Sequence, residues 1–275
     1  MAAPCPYMER FLAYARGFLD RGGDDMPHRL KLDHTLRVVD NAVAIAEAEG
    51  LDPDLRRLAR LAALGHDYGR FEQYEAYRTF ADSESINHGL LGARLLHAHG
   101  FFADLPRAER RTVLKAVVLH NRLALPEGLA GAEDVVARVV RDADKLDIFG
   151  VMLSLFESDA PPHPVLALGC TREPTRWTPQ ALDAVLRREN GSYGALRFEN
   201  DLKLLLASWV YDMDHAAALG LLVERGLLAR LLASLPEHPD MAPLRRSLNA
   251  ELGRRLPRRG HGRPSCKKAP GVLRG

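Results

Sequence analysis

Apolar residues recur at three- and four-residue spacing along almost the whole chain, and strand-like alternation is nearly absent. Residues 7 to 19 read as an amphipathic helix ended by Gly22-Gly23. Residues 30 to 49 read as a long helix with Leu32, Leu36, Val39, Val43 and Ala46 as its inward stripe. Asp52-Pro53 opens the next helix, with Pro53 at its first position, and it runs through Leu55, Leu58, Ala62 and Ala63 toward His66. Residues 68 to 86 are polar and aromatic and read as a loop across the adjoining site. Helical spacing resumes over residues 88 to 99, 107 to 120 and 132 to 147. Residues 161 to 174 form a proline-broken loop, followed by helices over 178 to 188 and 196 to 211 and a last group ending near 252. There is no internal repeat. The pattern predicts one all-α domain over residues 1 to 252 and a tail over 253 to 275.

Composition narrows the class. A chain of 275 residues can bury one substantial core or two modest ones. With 47% hydrophobic and 27% charged residues it reads as an ordinary globular protein, and the abundance of Ala, Leu and Arg favours helix. Cys5, Cys170 and Cys266 are far apart, so neither a disulfide framework nor a cysteine metal site is expected. The opening residues lack the order of a signal peptide and no apolar run reaches membrane-spanning length, so a cytoplasmic protein without a membrane partner is expected. The net charge of +2 conceals an asymmetry, because eight of the 38 Lys/Arg and none of the 36 Asp/Glu fall in residues 253 to 275. The body is therefore mildly acidic. The tail, with Pro257, Pro264, Pro270 and five glycines, is expected to be disordered.

The chemistry concentrates around His66-Asp67. An imidazole beside a carboxylate at the end of an Ala-rich helix offers N and O donors, which suit Fe, Mn, Zn or Ni better than copper or calcium. His34 lies on the apolar side of its helix, where a lone histidine is more often a hydrogen-bonded core residue than a ligand. The small residues Ala59, Ala62, Ala63 and Gly65 before His66 allow close helix contact. Asp144 follows Val135-Val136 and Val139-Val140, and a buried carboxylate on such a face needs a cation. Asp147, one turn later, is either a partner behind a ligand or a helix-end charge. His97 and His99 read as surface residues at a helix end.

Taken in order, His34, His66-Asp67 and Asp144 resemble the HD superfamily of metal-dependent phosphohydrolases, whose signature is H…HD…D. The resemblance implies an HD-type helical bundle with its core over about residues 28 to 160, extra C-terminal helices to 252, and one metal held by those four side chains. His88, in Ile-Asn-His-Gly, and His120, in Val-Leu-His-Asn, fall where two-metal members place further histidines. The resemblance then implies a second ion on His88 and His120, with Asp67 bridging the pair. The GYP motif of the HD-GYP phosphodiesterases is missing. The chain is more similar to a bacterial group of HD proteins with HD-x-GRFEQ, S-x-NH and RDADKLD, which stand here at residues 66 to 73, 85 to 88 and 141 to 147. Residues 208 to 212 also match that group, and the likeness covers roughly residues 28 to 235.

The implied activity is hydrolysis of a small, nucleotide-like phosphate ester by metal-activated water at one or two divalent ions, Fe, Mn, Zn or Co. In that reading Asp67, Arg70 and Lys145 are the catalytic candidates, and Arg70 and Arg78 the substrate-binding ones. A guanidinium forks onto two phosphate oxygens, which favours Arg70, three residues beyond Asp67. For Arg70 and Lys145 a salt bridge to a nearby acid is the competing role. Arg78 and Asp82 belong to the expected lid and are candidates for contact with the leaving group. Two other classes stay open: an HD-fold di-iron oxygenase with the same ligand set, and a metal-containing nucleotide-binding module without turnover. The acidic body, with no basic helix interleaved with aromatics, argues against nucleic acid as a partner.

Overall fold

The computed structural model describes residues 6–19, 24–160, 164–167, 169–189, 191 and 193–256. Among these residues the regular structure is helical, and the one extended pairing is an isolated bridge between Thr171 and Phe198. The expected all-α class is what the chain adopts. No described helix is long and apolar enough to cross a membrane.

Helix α1 (Pro6–Leu19) buries Phe11, Ala15 and Phe18 at helical spacing. Helix α2 (Met26–Ala48) carries Pro27 in its first turn and turns His34, Val38, Asn41, Ala42 and Ile45 inward. Its buried face is rotated from the predicted stripe, since Leu32, Leu36 and Val43 are only half-buried. Four polar side chains of this helix, His28, His34, Thr35 and Asn41, are buried as well, and of these the sequence pattern places only His34 on the apolar side. Helix α3 (Pro53–Gly65) starts at Asp52, whose carboxylate accepts the Leu55 amide at 2.9 Å. Such a cap contributes about 1 kcal/mol. Its small residues Ala59, Ala62 and Ala63 let it pack closely on α2 and on α7 (Gly131–Phe156).

Residues 68 to 86 are not a loop as predicted. Helix α4 (Tyr68–Tyr77) follows Asp67 at once, because Tyr68, Phe71 and Tyr74 recur every three residues and share a buried face. A short 3-10 turn (Asp82–Glu84) then leads into α5 (His88–Ala98), which packs on α4 and on α6 (Arg107–Leu119). Helix α7 extends past its predicted end at 147, since Phe149, Met152 and Leu153 continue the apolar spacing.

The C-terminal part comprises α8 (Pro164–Ala167), α9 (Pro179–Leu186), α10 (Glu199–Asp212), α11 (Ala216–Glu224), α12 (Leu227–Ala233) and α13 (Met241–Arg255). Helix α10 is buried from Asn200 to Val210 and packs on α9, α12 and α13, while α11 and α12 rest on α7. Two buried carboxylates stitch these elements to their neighbours. Asp201 accepts from the Thr178 amide and hydroxyl and from the Arg197 and Phe198 amides. Asp142 of α7 accepts from the Asp214 and His215 amides and from the His215 ring. Buried acids supplied this fully with donors are no longer a liability. Helix α13 reaches Arg255, so helix overruns the predicted tail start at 253. Residues 257 to 275 of that predicted tail, and 161 to 163 and 168 of the predicted loop, lie outside the described residues.

Candidate metal centre

Six helices bring six candidate donors to one interior point. His34 comes from the middle of α2 and Asp144 from the middle of α7. His66 ends α3 and Asp67 caps α4, so the pair sits at the junction of two helices. His88 is the first residue of α5, after the cap Asn87, and His120 ends α6.

The donors form two groups. His34, His66 and Asp144 make one, and Asp67, His88 and His120 the other, each with its ligand atoms within 4.8 Å of one another. In the first, His34 Nε2 lies 3.1 Å from Asp144 Oδ1 and 3.2 Å from His66 Nε2. In the second, the Nε2 atoms of His88 and His120 are 2.9 Å apart. Asp67 belongs to both: its Oδ2 is 3.5 Å from His34 Nε2 and 3.6 Å from His66 Nε2, while its Oδ1 is 3.4 Å from His88 Nε2 and 3.7 Å from His120 Nε2.

These separations fit metal ligation. Two ligands bonded at about 2.1 Å to one ion stand about 3.0 Å apart at right angles and about 3.4 Å apart in a tetrahedron. The tautomers fit as well. Each ring has an oxygen partner at Nδ1: Asp147 at 2.6 Å for His34, Ala63 O at 2.6 Å for His66, Asp82 at 2.7 Å for His88, and Val117 O at 2.7 Å for His120. An Nδ1–H given to that oxygen leaves the Nε2 lone pair pointing inward, as a ligand requires. Converging lone pairs repel, so this arrangement calls for cations between them.

Burial sets the charge states. It pushes the His66 imidazole down to about 4 and the His88 imidazole to about 3, so both rings are neutral near pH 7. Burial also pulls His34 down, but its hydrogen bonds to Asp144 and Asp147 outweigh it and the ring is raised. Asp67 lies well below the carboxylate range: burial opposes this, and Lys31 and His66 overcome it. Asp144 is likewise held low by His34 and His66 against its own burial.

All six residues expected as ligands therefore meet. The other candidates fare differently. Arg70 lies beside the centre, its Nε 3.4 Å from Asp67 Oδ1, with its guanidinium also held by Gln73 and Asp82. Asp82 does not stand free for a leaving group. It anchors His88 and accepts from Gln73 and Asn121; burial pushes its carboxyl up, but the hydrogen bond and charge of His88, together with Arg70 and Gln73, hold it down at about 2. Asp147 proves to be the partner behind His34 and is itself gripped by Arg37 at 2.6 Å. Lys145 is tied to Asp212 at the end of α10, because adjacent residues on a helix point about 100° apart and Asp144 takes the inward direction. Arg78 is exposed at the left-handed end of α4, over Tyr74 and against Glu75, and is not part of the cluster. His99 accepts or donates at the Tyr68 hydroxyl, 3.0 Å away.

Lys31 was missed by sequence reasoning. Its Nζ donates to Asp67 Oδ2 at 2.7 Å. A signal existed, since residues three apart on a helix share a face and Lys31 precedes His34 by three.

Comparison with protein families gives one match: the HD domain model matches residues 32–148, a span that contains all six donors. No curated protein and no solved structure matches the chain.

Proposed function

This chain belongs to the HD-domain superfamily, and on that footing we propose that it is a metal-dependent phosphohydrolase acting on a small, nucleotide-like phosphate ester. One observation carries the reading: the two oxygens of Asp67 are divided between two histidine groups, which suits a pair of ions sharing one carboxylate. His34, His66 and Asp144 would hold one ion and His88 and His120 the other, with Asp67 between them. Bound there, divalent Fe, Mn, Zn or Co would make water a nucleophile near neutral pH and draw charge off a phosphoryl oxygen.

The chain's own contribution is positional. Asp147 and Asp82 fix the rings of His34 and His88, and the Ala63 and Val117 carbonyls fix those of His66 and His120. The four Nε2 atoms are thus aimed in advance, at no reorganisation cost during reaction. Arg70, clamped beside Asp67, keeps positive charge where the phosphoryl group must arrive. Lys145, committed to Asp212, is not assigned a part.

The test is elemental analysis followed by hydrolysis assays on nucleotide and cyclic-dinucleotide panels with Mn or Fe. Two ions per chain and turnover of a phosphate ester are expected. Protein that holds its ions yet turns over nothing on the panels would remove the reading. Substrate-dependent oxygen uptake by iron-loaded protein would move the chain to the oxygenase class.

A further inference from the structure

Lys31 shares Asp67 Oδ2 with His34 and His66, at 2.7 Å, and its side chain is 15% exposed. The Phe80 ring lies 5.2 Å from its Nζ and carries the Arg70 guanidinium at 5.5 Å. An ammonium so enclosed has lost most of its hydration and depends on its carboxylate.

The charges around it are unusual in one respect. The ion pairs that connect to the six donors link four carboxylates, Asp67, Asp82, Asp144 and Asp147, with three cations, Lys31, Arg37 and Arg70. With neutral histidines this set is nearly balanced. Two divalent ions convert it to an excess of about three positive charges. A singly charged diester would leave most of that excess uncompensated, whereas a dianionic monoester answers most of it. The ions would also occupy the Asp67 oxygens and repel the ammonium beside them. A lysine on a flexible four-carbon stem then has reason to turn to another anion.

We infer that Lys31 is an internal counter-ion of Asp67 that yields to metal and then binds the phosphoryl oxygens of a dianionic phosphate monoester. This rests on the phosphohydrolase reading and narrows it to terminal phosphoryl groups. In the reaction a water oxygen bonds to phosphorus, the ester P–O bond breaks, the leaving oxygen takes a proton as an alcohol, and inorganic phosphate remains.

The experiment uses the full chain with Mn2+ and inorganic phosphate as probes, comparing wild type with Lys31→Met and Lys31→Arg. Mn2+ should bind metal-free Lys31→Met severalfold more tightly than wild type, because a competing cation is gone. Phosphate should bind Mn-loaded Lys31→Met roughly tenfold more weakly, with Lys31→Arg recovering most of the loss. Wild type should prefer p-nitrophenyl phosphate to bis(p-nitrophenyl) phosphate, and Lys31→Met should lose that preference through KM more than kcat. If Lys31→Met does not fold, Lys31→Gln is expected to shift each reading in the same direction. Unchanged phosphate affinity, weaker Mn2+ binding, or preference for the diester overturns the inference. Wild type that binds two Mn2+ and phosphate through Lys31 but hydrolyses nothing would uphold the anion site and remove the phosphohydrolase reading.

Discussion

Gly69 lies against the carbonyl of His88: a β-carbon at position 69 would stand 2.4 Å from that oxygen and 2.6 Å from the Gly92 amide nitrogen. Both neighbours are backbone, so neither can swing aside. The bare Cα lets α4 cross α5 closely enough for His88 to reach Asp67 and His120. Gly69→Ala is expected to force α5 outward and to destabilise the protein by about 1–3 kcal/mol. It should also lower metal content at His88–His120 more than at the His34 group. Urea denaturation with elemental analysis checks both, and a variant keeping wild-type stability and metal count would show that the crossing does not depend on this contact.

Asp67 serves both donor groups, whereas Asp144 and His120 each serve one. Asp67→Ala is expected to abolish stoichiometric binding of both ions. Asp144→Ala and His120→Ala should each remove one and retain the other in part. Metal analysis after gel filtration reads this directly. Equal losses in all three variants would contradict a shared carboxylate.

The carboxylates behind the rings make a separate prediction. Asp147 holds His34 and Asp82 holds His88, each through Nδ1. Asp147→Asn and Asp82→Asn are expected to weaken metal affinity about 10- to 100-fold, each at its own group. Titration with Mn2+ distinguishes the two sites, and unaltered affinity in both variants would refute this role.

His215, bonded to Asp142 two residues before Asp144, offers a pH test of stability. Burial pulls its imidazole down, but the hydrogen bond and charge of Asp142 outweigh that and leave it raised. A raised group adds stability that is complete below its unfolded value, about 6.5, and is lost as pH rises through the folded value. His215→Gln should therefore lose more stability at pH 6 than at pH 9. Urea melts that show equal losses at both pH values would argue that the ring stays neutral.

The sequence by itself determined the helical class, and its resemblance to the HD superfamily pointed to the six residues that the fold brings together. Apolar spacing is a local property, and an imidazole or carboxylate within an apolar run already demands a partner. It could not show that residues 68 to 77 are helical, because Tyr68, Phe71 and Tyr74 form a buried face only once a core exists to receive them. Nor could it apportion the charged residues. Lys31 and Lys145 each stood close in sequence to a candidate ligand, yet the fold brought one to Asp67 and the other to Asp212. Asp82 and Asp147 became ring anchors for the same reason. Only tertiary packing decided these roles, since the partner of a charge is set by which helix crosses its face, and the crossing depends on contacts far apart in the chain, such as that of Gly69 with His88.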